Sequence, residues 1–195
     1  MNKNFSKIVV LDLETTGLKP VTSEITEVGA VVLDLKLNPI NEYSTLVKIQ
    51  GDIPAKVTEL TGITKEMCEK DGKDFETVKR EVQELVKDAV IIAHNAAFDL
   101  SFLKHHFDID PEYFYDTLTI SRSIDFQQRT HKLGDICERK GISLKNAHRS
   151  LNDVLATVEV FKHFVKNHKG TTVQYLNVLS GKRLSYRPTH TQVVL

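Results

Sequence analysis

Residues Ile8–Leu13 form an unbroken apolar run with one carboxylate, Asp12, set inside it. A run that is continuous rather than alternating is the pattern of a strand buried on both faces. A carboxylate in such a strand is costly unless it is paired or bound to a metal. Glu14 follows two residues later, and period two puts both acids on one face, in line with Ile8 and Val10. Thr15-Thr16-Gly17 then ends the strand. For Asp12 taken alone, a strand-end acid that caps the next turn is the simpler alternative.

The rest of the chain supplies a frame for that strand. Ile25–Leu35 places Val28, Ala30 and Val32 on one alternation, and Tyr43–Ile49 sets Tyr43, Thr45 and Val47 against Ser44 and Leu46. Short turns separate these three strands, which predicts antiparallel neighbours. Val57–Leu60 reads as a short helical turn broken by Gly62. Asp74–Asp88 is a helix capped by Asp74, with Phe75, Val78, Val82, Leu85 and Val86 at helical spacing. Ala89–Ala93 is a fourth buried strand, Ala97–Phe107 a helix, and Tyr113–Tyr115 a short fifth strand. Leu118–Ser123 and Leu133–Lys140 are short helices, the second stopped by Gly141. The last strong helix is Ser150–Asn167, with Leu151, Val154, Leu155, Val158, Phe161 and Val165 as its stripe. Strands first, then strands alternating with helices, predict an α/β or α+β architecture with a mixed sheet.

Composition narrows the function classes. The 195 residues fit one domain with a short extension. Lys plus Arg is 26 and Asp plus Glu is 26, a balance that argues against a histone-like or tail-driven polyanion binder. The two cysteines, Cys68 and Cys137, form no C-x-x-C pattern, so neither a disulfide framework nor a zinc site is expected. Met1–Lys7 lacks a basic-then-apolar leader and no apolar run reaches about 18 residues, which leads to the expectation of a cytoplasmic protein with no membrane partner. Gly170 marks the expected end of the compact domain, residues 1–170. Residues 171–195 contain no Asp or Glu and carry Lys182, Arg183 and Arg187, a basic tail.

Two more places break the apolar pattern with acids. In His94-Asn95-Ala96-Ala97-Phe98-Asp99, where the fourth strand passes into a helix, Asp99 lies over the inward face that Phe102 and Leu103 share. In His148-Arg149-Ser150-Leu151-Asn152-Asp153, Asp153 stands beside the stripe of the last helix and His148 just ahead of it. Four carboxylates meeting at one point would repel one another, and two divalent cations would resolve the repulsion. Carboxylate oxygens suit magnesium or manganese. Two such ions about 3.5–4 Å apart stabilise the attacking and leaving oxygens of a phosphoryl displacement, and a histidine beside them can accept a proton.

D-L-E-T-T-G (Asp12–Gly17), H-N-A-A-F-D (His94–Asp99) and H-R-S-L-N-D (His148–Asp153) resemble the three motifs of the DEDDh exonucleases, the DnaQ-like superfamily. E-V-G-A-V at Glu27–Val31, L-T-G-I-T at Leu60–Thr64 and D-T-L at Asp116–Leu118 add to the likeness, which covers roughly residues 7–166 and looks most like the proofreading branch of bacterial replicative polymerases. The resemblance implies an α/β ribonuclease H-like fold: a mixed five-stranded sheet with the second strand antiparallel and helices on both faces. It implies a metal-dependent 3′→5′ exonuclease that releases 5′-mononucleotides. Asp12, Glu14, Asp99 and Asp153 would hold two divalent cations, Mg2+ or Mn2+, and His148 would be the general base. Thr15 would help seat the terminal nucleotide, and Asn95 and Phe102 would shape the same pocket, with packing the favoured job for Phe102. The implied partner is the single-stranded 3′ end of DNA, with RNA as the alternative, together with a polymerase subunit; no organic cofactor is implied. Glu27 and Asp116 read as structural acids. Two departures stand out, Ser150 where Ala is usual and Asn152 where an acid is common, and neither removes a ligand.

Three other readings compete. D-L-E-T-T faintly resembles the D-x-D-x-T of haloacid-dehalogenase-type phosphatases, a scheme with no role for His148. An RNA 3′-end-processing exoribonuclease would use the same motifs. A non-catalytic nucleic-acid-binding or polymerase-docking module would have lost at least one of the five residues, and all five are present.

Overall fold

The computed structural model describes residues 5–180 and the backbone of 192–194. Its strands are β1 (Lys7–Thr15), β2 (Ile25–Leu33), β3 (Pro39–Leu46), β4 (Ala89–Ala93) and β5 (Phe114–Asp116), and its helices are α1 (Ala55–Thr61), α2 (Lys65–Asp71), α3 (Phe75–Val86), α4 (Ala96–Phe107), α5 (Thr117–Ile124), α6 (Leu133–Lys140) and α7 (Ser150–Gln174). Two short strands, β6 (Val178–Ser180) and β7 (Gln192–Val194), pair with each other in parallel.

The five strands form one sheet in the order β3-β2-β1-β4-β5. β2 runs antiparallel to β1 and β3, while β1–β4 and β4–β5 are parallel. This is the mixed sheet with a reversed second strand that the motifs imply. Side-chain alternation along β1 divides the core. Val9, Leu11 and Leu13 face α3 and α4, where they meet Val78, Val82, Leu100, Leu103 and Phe107. Val10 faces the other way, towards Ile120 of α5, Ile136 of α6 and Val154, Val158 and Phe161 of α7. Asp12 and Glu14 continue the row of Val10. All nine residues of β2 are buried, which explains a composition with almost no polar alternation.

Three elements differ from expectation. β3 spans Pro39–Leu46 rather than Tyr43–Ile49: its first half lies exposed at the sheet edge, where no apolar alternation is needed, and Val47 beyond it donates to the Thr26 carbonyl and bridges Lys73. α2 carries no apolar stripe for periodicity to reveal, since Cys68 is its one buried residue; the local signal is the Thr64 N-cap, which accepts from Met67 N. The last helix runs past Asn167 and through Gly170 to Gln174, bending at His168 (φ −140°, ψ 38°), with buried Thr172 holding its final turn. Beyond it, Asn177 clamps the edge of β5: its N–H donates to the Phe114 carbonyl, its Oδ1 accepts from Phe114 N, and its Nδ2 donates to the Glu112 carbonyl. Val178 and Leu179 are buried. Residues 171–179 therefore pack on the domain, and the expected basic charges Lys182, Arg183 and Arg187 lie outside the described residues. Among the described residues no helix is long and apolar enough to cross a membrane.

Candidate active site

The site lies at the carboxyl end of β1, where the sheet opens. β4 pairs with β1 only from Lys7 to Val10, so β1 overhangs it. The Leu13 N–H, turned away from β2, has no strand to meet; Asp99 Oδ1 accepts it at 3.1 Å. Asp99 comes from the first turn of α4 and is 2% exposed. Asp116, at the end of β5, sets where that helix begins. Its Oδ1 accepts from Asn95 N (2.9 Å), Ala96 N (3.2 Å) and Leu118 N (3.1 Å), and its Oδ2 from Thr119 Oγ1 (2.6 Å). Asn95 takes the left-handed conformation (φ 65°) that turns the chain sharply from β4 into α4.

A different construction brings α7 to the same place. Gly29 lies opposite Asp12 in the β1–β2 register. A Cβ there would stand 2.5 Å from the Ser150 carbonyl carbon and 2.6 Å from Leu151 N, so only glycine lets the helix start touch the sheet backbone. Next to it Glu27, 2% exposed, takes a forked contact from Arg149 (Nε at 3.1 and 3.3 Å, Nη2 at 2.6 Å) and the Ser150 N–H at 2.9 Å. His148, in the left-handed region at φ 67°, donates its N–H to Asp153 Oδ2 at 3.1 Å. Asn152, where an acid is common, donates its Nδ2 to the Asn146 carbonyl and braces the preceding loop.

The result is a tight acidic cluster. Ligand atoms of Glu14, His148 and Asp153 all lie within 4.8 Å of one another. Burial pushes the Asp12 carboxyl well above the usual range, and the charges of Asp99, Glu14, Asp153 and Glu27 push it further. Glu14 is pushed up to about 8, by burial first and then by Asp153 and Glu27, against the pull of Arg149. Asp99 is raised by burial, with the Leu13 N–H opposing, and Asp153 is raised by burial, with His148 opposing. Asp12 is thus the acid that feels all three others. Asp153 Oδ1 is buried with no hydrogen-bond partner. An orphaned carboxylate oxygen among mutually repelling carboxylates is the donor set of a hard divalent cation, so these residues fit one.

The structure brings Asp12, Glu14, Asp99, His148 and Asp153 together. The three residues expected in the nucleotide pocket separate. Asn95 is exposed at the start of α4, with its side chain uncommitted to capping. Thr15 is mostly buried and donates its Oγ1 to the Gly17 carbonyl at 2.6 Å, holding the turn after β1. Phe102 has no exposed surface; its ring packs on Phe98 (4.9 Å) and stacks on His106 (5.6 Å), so it supports the pocket from inside the core. Two residues at the site stand outside the expected set. Arg149 meets Glu27, an acid in a wholly buried strand that needs a cation to reach it. His94 lies where β4 passes into α4. Its Nδ1 meets Thr117 Oγ1 at 2.9 Å, and burial pushes its imidazole down to about 4, which keeps it neutral beside the α4 start.

Comparison with known proteins agrees with this geometry. A family profile described as Exonuclease, of the RNase T type, matches residues 9–161. The PolC-type DNA polymerase III of Thermotoga maritima is 40% identical over 166 residues, which cover 83% of this chain and 12% of that polymerase. The Clostridium perfringens PolC-type polymerase is 35% identical over 184 residues, again 12% of its length. The chain therefore spans a small part of the curated relatives it matches. Among solved structures, a zinc-bound complex of E. coli exonuclease I with single-stranded DNA superposes with a TM-score of 0.76 at 18% identity, covering 88% of this chain and 43% of that one. A complex of E. coli exonuclease I with a dT13 oligonucleotide gives 0.73 at 19% identity, covering 87% and 43%. These likenesses establish the shared ribonuclease H-like fold.

Proposed function

Since the chain belongs to the RNase T-type, DnaQ-like family of 3′→5′ exonucleases, we propose that it shortens single-stranded nucleic acid from the 3′ end, DNA in preference to RNA, releasing 5′-mononucleotides. The observation that carries the reading is the meeting of Glu14, His148 and Asp153 within 4.8 Å, with Asp12 and Asp99 in the same electrostatic field. Membership implies a divalent metal. Here Asp12, Glu14 and Asp153 would hold one ion, and Asp12 with Asp99 a second, Mg2+ or Mn2+. When bound, such ions supply Lewis-acid stabilisation of the charge that develops on the attacking and leaving oxygens.

The chain's own residues do the rest. His148 is exposed at the α7 start, where water and substrate reach it, and its imidazole accepts the proton of the attacking water. Asp153, bound to the His148 N–H, sets where that ring stands. For the terminal nucleotide, Thr15 would hold the turn that seats it, Asn95 would offer its exposed amide, and Phe102 would act from the core through its packing on Phe98. The preference for DNA and a place beside a polymerase rest on the PolC relatives, of which this chain matches only a segment.

The test is degradation of matched 3′-labelled DNA and RNA oligomers of one sequence, with Mg2+, Mn2+ or chelator. Release of labelled mononucleotide from DNA faster than from RNA, abolished by chelator, is expected. Faster release from RNA would reassign the substrate. Binding without cleavage in either metal would overturn the reading.

A further inference from the structure

The Glu27–Arg149 pair holds no ion and no nucleotide in this scheme, yet it stands beside three of the acids that would: Asp12, Glu14 and Asp153. Glu27 faces Glu14 across the β1–β2 ladder, on the face that carries Asp12 and Gly29. Its charge reaches Asp12, Glu14 and Asp153. Ionised and unpaired, it would be a fifth carboxylate at the cluster, one strand over at about 4.8 Å, and a second seat for a cation. Arg149 prevents that by occupying both oxygens with its fork, while the Ser150 N–H takes the remaining acceptor site of Oε2. No other basic side chain pairs with Glu27 among the described residues. Arg149 is also joined to the chemistry through the chain. It directly follows His148, and its own carbonyl accepts the Asp153 N–H at 3.1 Å.

The geometry points to Arg149 as a positioning residue for the exonuclease reaction: it keeps Glu27 away from bound cations and seats His148 and Asp153 against Glu14. The inference rests on the metal-dependent reading above. The side chains that separate its parts are clear. Lysine keeps the charge but not the fork. Methionine keeps length and loses the charge. Glutamine at 27 keeps an acceptor for Ser150 N–H and loses the competing charge.

The experiment measures Mn2+ binding by electron paramagnetic resonance, and kcat and KM on a single-stranded DNA oligomer, for the full chain and for R149K, R149M and the double variant E27Q/R149M. R149M is expected to weaken Mn2+ binding by about 10-fold or more, in the range of losses seen when supporting groups around a metal site are removed. Its kcat should fall more than its KM rises. E27Q/R149M should recover most of both losses, because the competing carboxylate is gone. Should R149M fail to fold, the double variant and R149K still decide, since removing both charges together avoids a lone buried ion. A double variant with Mn2+ affinity and kcat far below the full chain, or an R149K that matches the full chain in both, overturns the proposal and leaves Arg149 a fold contact only. If the full chain binds Mn2+ and cleaves nothing, the exonuclease reading fails, and the Mn2+ comparison still tests whether Arg149 guards the site.

Discussion

Two helix starts deliver an acid to the end of β1, and they are held by unlike means. α4 is tied from below, by backbone. Asp116 gathers the N–H groups of Asn95 and Ala96, and Asp99 in turn accepts the N–H of Leu13. α7 is tied across the sheet, by a charge pair between residues 122 positions apart and by a bare glycine contact. Asp99 is therefore part of the fold's own hydrogen bonding, whereas Asp153 carries a buried oxygen that nothing satisfies. Under the proposed function, one acid would contribute to stability as well as chemistry, and the other would serve chemistry at some cost.

The sharpest way to break this comparison is to remove each acid. Asp99→Ala and Asp153→Ala should both cut metal-dependent hydrolysis to below about one-thousandth. Their melting temperatures in chelator should diverge. Asp99→Ala leaves a buried N–H unpaired, a loss of about 1–3 kcal/mol, and should melt below the parent chain. Asp153→Ala removes repulsion and should melt at or above it. Equal shifts would erase the distinction. Next in size, His148→Gln should lower kcat by about 10²–10⁴-fold with little change in Mn2+ affinity; a lost affinity instead would make His148 a ligand.

Gly29→Ala probes the α7 seat alone. The added methyl overlaps helix backbone, so a loss of about 1–3 kcal/mol in denaturant unfolding is expected, together with lower turnover. An unchanged chain would show that the helix slides freely.

The pH dependence of the metal-free chain is a subtler measure. Glu14 is raised from its ordinary value to about 8, so between about pH 4.5 and 8 the folded chain binds more protons than the unfolded one. Stability then falls as pH rises through that window. Melting in chelator should drop from pH 5 to 8, and Glu14→Gln should flatten the drop. A flat parent profile would contradict the crowding of charge. The smallest effect belongs to Ser150→Ala. The Ser150 hydroxyl is buried without a partner, so its removal should stabilise by up to about 1 kcal/mol in the same unfolding assay and leave hydrolysis unchanged.

What could be read from the chain follows from the same contrast. Asp12, Glu14 and Asp99 are acids on faces that otherwise want apolar side chains, and local periodicity exposes such misfits. The sheet was legible because β1, β2 and β4 are dense apolar segments. β3 was displaced because Pro39–Glu42 is exposed and its pairing leaves no trace in side-chain pattern. α2 went unseen because a helix with only Cys68 buried has no stripe. Arg149 was missed because its partner lies 122 residues away, and a contact across a sheet has no period along the chain. Phe102 illustrates a choice that periodicity leaves open: its place near a motif suits the pocket and its apolar ring suits packing, and its complete burial fits the packing job.

The contact at Gly29 has a mechanical result. Where helix meets strand backbone to backbone, no rotamer lies between them to flex. The separation between the strand that carries Glu14 and the start of the helix that carries Asp153 is then set by covalent geometry and sheet pairing, leaving only the acid side chains themselves to adjust. Strand and helix stand at their working separation before any ion would arrive, so binding would have to order side chains and not the backbone beneath them.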